Sequence, residues 1–363
     1  MKISFTKLPN FKNSNFVFIL DIFDHFISFV SLSSLGRGVL LTFLALKKKI
    51  FIATYALILY TLSIQLFYFS PNNLSVSTDI LVFFLKVILF LSSIILLDVK
   101  KNTSNIQGIL IFVCIINIII SATGYGYTQY GFSSSGIPYG IKGVYIGGNE
   151  LSIAYLIGCI LIKPKNIYVA ICISIIGLTF ATKVAIFGSI LTLFLYFITN
   201  LNTKYFKYLF FLIIPLIAYT SVFYVELQQE RWSEDLSKSS SIVNFVFSGR
   251  DEKLAVAMES WDTSATEIII GHGFNNYHNN TIGYNEFFVE VDLIDFFYIG
   301  GLLLLSIVYI PIIYKLILAA RIKNYRLSFA ILAIIGLSVT SGHTLYNTIL
   351  PLILLNLAGG RTS

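Results

Sequence analysis

This sequence is short of charge. Asp, Glu, Lys and Arg together make up only 12% of its 363 residues, about half of what a soluble domain carries, while hydrophobic residues reach 56%. So few charges cannot clothe a water-facing surface, and a core of this size cannot hide so much apolar area. Cysteine is scarcer still, at three residues. Cys114, Cys159 and Cys172 all lie inside apolar runs, with no CxxC or Cys/His spacing, which argues against a metal framework or a disulfide scaffold and reads as buried small apolar residues. No small-residue cleavage site follows a short apolar region, so no removable signal peptide is expected and the first helix acts as its own insertion signal.

What the sequence does have is long apolar runs. A bilayer core about 30 Å thick needs roughly 20 mostly apolar residues per helix, because lipid offers no partner to backbone N–H and C=O groups. Such runs occur near 50–70, 79–97, 106–124, 147–162, 166–182, 184–199, 208–225, 293–313, 325–341 and 345–357. Residues 16–46 are apolar but interrupted by Asp21, Asp24, His25 and Gly36-Arg37-Gly38, which reads as a hairpin of two short spans. The expected fold is an all-α polytopic integral membrane protein with about 11–12 transmembrane helices. It divides into 1–225, N-terminal helices with an outer loop at 125–146; 226–292, a long outer loop with short helices; and 293–363, the C-terminal helices.

Lys and Arg fix the expected orientation, since short cytoplasmic loops are enriched in them. Alternate connections hold Lys47, Lys48 and Lys49, then Lys100 and Lys101, Lys163 and Lys165, Lys204 and Lys207, then Lys315, Arg321, Lys323 and Arg326, and finally Arg361. These face the cytoplasm. The opposite connections, 71–78, 125–146 and 226–292, face outward. The net charge of +7 therefore describes topology, and no nucleic-acid partner is expected.

The outer segment 226–292 far exceeds the roughly 12–15 residues beyond which an unstructured loop is unusual. Leu254, Ala255, Ala257, Met258 and Trp261 recur at helical spacing after Ser248-Gly249-Arg250-Asp251, which predicts a short amphipathic helix with Arg250 at its start. Gly271-His272-Gly273 supplies a turn, and Glu290-Val291-Asp292-Leu293-Ile294-Asp295 leads into the next membrane helix. Asp292 and Asp295 share a helix face. They favour the positive end of the helix dipole, or they form with Glu290 a carboxylate cluster that binds hydroxyls and takes a proton.

Charges within the spans are expensive, at least about 2.5 kcal/mol each unless they snorkel, pair or line a wet cavity. Lys86 lies mid-run and cannot reach water, so it pairs with a carboxylate or projects into a cavity. Lys183, in Thr182-Lys183-Val184-Ala185, reaches outer water. His343, in Ser341-Gly342-His343, is either a proton-transfer group or a boundary residue. Asn149 and Glu150 stand at the mouth of a helix that follows the Tyr- and Gly-rich loop 125–146, where Asn149 caps or both contact substrate.

The order Gly148-Asn149-Glu150-Leu151-Ser152, Thr182-Lys183, Ser248-Gly249-Arg250-Asp251 with Trp261, Gly271-His272-Gly273, Glu290 to Asp295 and Gly300-Gly301 resembles the O-antigen and capsule polymerase (Wzy) family over roughly residues 145–305. The resemblance implies a metal-independent, cofactor-free glycosyltransferase of C-type membrane architecture in the bacterial inner membrane, with its active site facing the periplasm. It would polymerise undecaprenyl-diphosphate-linked oligosaccharide repeat units for lipopolysaccharide or capsule, with membrane lipids and a chain-length regulator protein as partners. Arginines of the outer loops hold diphosphate in such enzymes, which here points to Arg250 and Arg231. The chemistry of the residues agrees: Arg binds diphosphate bidentately and Lys183 adds charge, while Asp295, Asp292, Glu290 or His272 accepts the acceptor proton. Two alternatives stand beside this reading, an O-antigen ligase passing polymer to lipid A core and a flippase of lipid-linked oligosaccharides.

Overall fold

The structure is a computed structural model that describes residues 49–68, 74–100, 106–123, 127–128, 140–143, 148–162, 164, 167–180, 182–200, 250, 253–255, 264–273, 291–340, 342–347 and 349–357. The expected hairpin at 16–46, the run at 208–225, Glu290 and Arg231 lie outside these residues.

The described residues are mostly helical. In chain order they form α1 (Lys49–Tyr68), α2 (Leu74–Leu96), α3 (Ile106–Ala122), β1 (Tyr127–Thr128), β2 (Ile141–Gly143), α4 (Gly148–Leu161), α5 (Ile167–Thr179), α6 (Lys183–Asn200), α7 (Ala265–Ile270), α8 (Asp292–Arg321), α9 (Tyr325–Thr340) and α10 (Leu350–Leu355). The two strands pair antiparallel within the Tyr- and Gly-rich loop. Among the described residues, α8 alone is long and apolar enough to cross a membrane by length and composition; the others are shorter apolar helices.

Helix α4 is the centre of the bundle. Every residue from Glu150 to Ile162 is buried, the pattern of a helix packed on all sides, and α3, α6, α9 and α10 lie against it. Small residues bring its neighbours close. Gly177 and Gly188 make room for the ring of Tyr155, whose hydroxyl donates to the Ile173 carbonyl at 2.7 Å and meets Ser189 Oγ at 3.1 Å. Ser174 in turn donates to the Ser189 carbonyl. Polar side chains thus bond across helices in the interior, while Leu59, Ile119, Ile175, Phe187, Ile310 and Leu332 face outward. Cys159 is buried but Cys172 is exposed, which corrects the expectation that it is internal: the outward faces of this bundle are themselves apolar, so a small apolar residue fits either side.

Two elements differ from the expected spans. The run 345–357 is not one helix. Residues 342–347 form a turn and only Leu350–Leu355 are helical, all buried, with Pro351 in the first turn. Second, α8 extends past 313 to Arg321 and is broken at Gly301, whose φ of 60° and ψ of −159° are not helical. Its first nine residues form a separate half-helix, and regular helix resumes over 302–321, about 30 Å at 1.5 Å per residue.

The break has a cause in backbone packing. The segment after α7 lies directly on it: the His272 N–H donates to the Tyr298 carbonyl at 2.7 Å and the Gly273 N–H to the Ile299 carbonyl at 3.2 Å. Gly271, at φ 78°, faces the Gly300 amide so closely that a Cβ would stand 2.6 Å from that nitrogen. Gly271→Ala is therefore expected to lower stability by about 1–3 kcal/mol, through left-handed strain and a clash with backbone that cannot give way. Thermal unfolding of the purified protein in detergent measures this.

Candidate functional site

Lys86 stands midway along the apolar helix α2, and its charge is met by a partner. Its Nζ lies 3.1 Å from Glu150 Oε1, with side-chain exposures of 28% and 10%. Glu150 is in the first turn of α4, where a carboxylate also favours the helix dipole. The cation left open by the sequence therefore pairs with a carboxylate, one that the sequence placed separately at a helix mouth. Asn149 beside it is half-buried.

A second carboxylate is held from the opposite side. Gly342 and His343 both have positive φ, at 57° and 56°, and the following N–H groups converge on one anion, as successive turn amides can. That anion is Asp292: its Oδ2 accepts from the Thr344 N–H at 2.9 Å and the Leu345 N–H at 2.8 Å. A left-handed His is strained by about 1–3 kcal/mol, so the turn is worth its cost only as part of this arrangement. Asp292 and Asp295 are both fully buried. Asp292 thus locks its half-helix to the turn, a role the sequence did not suggest.

Aromatic rings fill the space between the two charged groups. Phe83, three residues before Lys86, lies 5.3 Å from Phe296 and 5.4 Å from Tyr346, centroid to centroid. The His343 ring meets Tyr346 edge-on at 4.9 Å. Lys86, Glu150, Asp292 and His343 thus share one neighbourhood at the start of α4, the start of α8 and the turn before α10. Asp295 and Phe296 lie on the Asp292 face of the half-helix by their spacing.

The remaining candidates lie further out. Lys183 is exposed at the start of α6; the preceding Thr182 caps that helix through the Ala185 N–H and donates its hydroxyl to Ser152 at 2.7 Å, two residues along α4 from Glu150. Arg250 is half-buried and helical, and its Nη1 reaches the Thr340 carbonyl at 3.5 Å, at the end of α9 and just before the His343 turn. Cations suit that negative helix end. His272 stacks on Tyr298 at 4.6 Å with its Nδ1 3.6 Å from Glu267 Oε1, and Tyr298 follows Asp295 by three residues on the half-helix.

The other end of the bundle has a different character. Lys315 donates to the Leu97 carbonyl at 2.6 Å, Asn324 to the Val99 carbonyl at 2.8 Å, and Arg326 to the Ile162 carbonyl. Cationic and amide side chains there satisfy the carbonyls that helix C-termini leave open. Tyr168, Tyr314 and Tyr325, 79%, 59% and 71% exposed, are close in sequence to these groups.

Asn347 is the residue that sequence reading missed. An Asn shortly before an apolar run with Pro351 is a helix-start signal, and its Oδ1 does accept from the Ile349 and Leu350 N–H groups, each at 2.8 Å. Among the described residues, no group of three or more His, Cys, Asp or Glu side chains could hold a metal ion. Comparison with family models, curated proteins and solved structures returns no match.

Proposed function

We propose that the chain is a polytopic inner-membrane glycosyltransferase that polymerises undecaprenyl-diphosphate-linked repeat units at the outer face of the membrane. The observation that carries the reading is the meeting of an ion pair within apolar helices, Lys86–Glu150, with the buried carboxylates of a broken helix at one end of the bundle. Polar groups and interrupted helices at such depth belong to sites and cavities, because lipid cannot satisfy them. The motif order that resembles the polymerase family runs through the same elements. Outward apolar faces on several helices support a membrane setting. Cations and exposed tyrosines toward the opposite end match a cytoplasmic boundary with its aromatic belt.

In the reaction, a hydroxyl oxygen of a new lipid-linked unit attacks the anomeric carbon of the growing chain. The bond from that carbon to the diphosphate oxygen breaks, undecaprenyl diphosphate leaves, and the hydroxyl proton passes to a carboxylate. Asp292 and Asp295 are the two buried carboxylates placed to take it, Asp292 using only its Oδ2 on the turn. Glu150 and Lys86 line the same neighbourhood and contact the acceptor sugar. Arg250 and Lys183, toward the outer side, hold the diphosphate. A flippase would also use a broken helix and a buried pair, but has no need of a diphosphate leaving-group site.

Arg250 gives the sharpest test of that leaving-group role. A charge-assisted bond lost from a buried diphosphate costs about 1.5–3 kcal/mol, one to two orders of magnitude in rate. Arg250→Lys, which keeps charge but loses the planar fork, should fall between wild type and Arg250→Ala. Polymer ladders from Arg250→Ala at wild-type length and amount, with equal protein, would remove Arg250 from the site and leave it as a clasp on the end of α9.

A further inference from the structure

We infer that Asn347 is a positioning residue whose side-chain amide fixes Glu150, and with it the Lys86–Glu150 pair, in register with the turn that carries His343. The inference rests on the reading of this end of the bundle as the transfer site. Asn347 is fully buried and uses both faces of its amide. The oxygen does an ordinary capping task on Ile349 and Leu350. The nitrogen does something capping does not require: it donates to the backbone carbonyl of Glu150 at 2.8 Å, 197 residues away.

That bond closes a frame. Asp292 grips the turn through the Thr344 and Leu345 amides, and Asn347 joins the same turn to the first turn of α4 at the residue whose side chain meets Lys86. The starts of α4 and α8 are thereby set relative to one another through the four residues 344–347. Reacting groups tolerate little error: a displacement near 1 Å costs about a hundredfold in rate. If holding the Ile349 and Leu350 amides were the whole role, Ser would serve at this position too, though more weakly.

The test separates the two halves of the amide. Asn347→Ser keeps an acceptor for the cap and lacks the donor to Glu150; Asn347→Asp keeps the shape and both cap bonds and lacks the donor, and serves if the Ser variant does not accumulate. Thermal unfolding in detergent is compared in wild type and in Lys86→Met/Glu150→Gln, where the pair is absent. The inference expects a smaller drop in Tm in the pair-less background than in wild type. Equal drops in both would overturn it. In membranes, elongation of native lipid-linked repeat units by the Asn347 variant should slow about ten- to a hundredfold. An unchanged rate beside a clear Tm loss would also overturn it, by making Asn347 a cap only. If wild type itself fails to elongate while the thermal coupling is present, the polymerase reading fails and the positioning role stands.

Discussion

Asp295→Asn is expected to leave the protein at its normal level in the membrane and to reduce polymer by two or more orders of magnitude. The side chain is fully buried in the first turns of the α8 half-helix. It is too far into the helix to be the cap: Val291 holds that position without a side-chain bond, and the Asp295 N–H already donates to the Val291 carbonyl. Asp292, three residues earlier, holds the turn through its Oδ2, so an Asn there would also weaken a structural bond. At Asp295 the amide keeps size and polarity and loses the negative charge, one acceptor oxygen and the ability to take a proton. General-base removal typically costs about 10²–10⁴ in rate. Polymer of normal amount and length from Asp295→Asn, at equal protein, would return this residue to the role of a helix-dipole carboxylate.

The largest expected effect on stability comes from splitting the Lys86–Glu150 pair. Lys86→Met leaves the Glu150 carboxylate, only 10% exposed, without its counter-charge. Removing one member of a buried pair costs about 3–5 kcal/mol; Lys86 is partly exposed, so about 2–4 kcal/mol is expected here, seen as lower membrane yield and a lower Tm. Lys86→Met/Glu150→Gln removes both charges and should recover most of that loss, since a neutral replacement of a buried pair is often no less stable. Activity separates the two possible roles. A pair that only holds helices together regains polymer along with stability in the double variant; a pair that contacts substrate regains stability alone, and the second outcome is expected.

The sequence made the helices legible and their interior partners invisible. Runs of Ile, Leu and Phe located α2, α3, α4, α5, α6 and α9 within a few residues, because apolarity over that length has few other uses. Apolarity alone does not tell a spanning helix from a buried fragment, which is why 345–357 read as one span and is a turn followed by a six-residue helix. Gly300-Gly301 was visible as a motif, but its meaning came from Gly271, whose backbone packs on it from thirty residues away. The site divides the same way. Lys86, Glu150, Asp292 and His343 stood out as polar groups in apolar surroundings. That Lys86 meets Glu150, and that the Asp292 carboxylate holds the amides beside His343, depends on contacts 64 and about 50 residues apart. Asn347 escaped notice because its capping signal concealed its second bond.

Deleting this chain and separating the surface polysaccharide on a gel tests the central claim most directly. The account predicts that the ladder collapses to a single repeat unit, and that the wild-type chain, supplied in trans, restores it. Lipid-linked polymer that accumulates without reaching its core acceptor, or repeat units that never appear at the outer face, would contradict it.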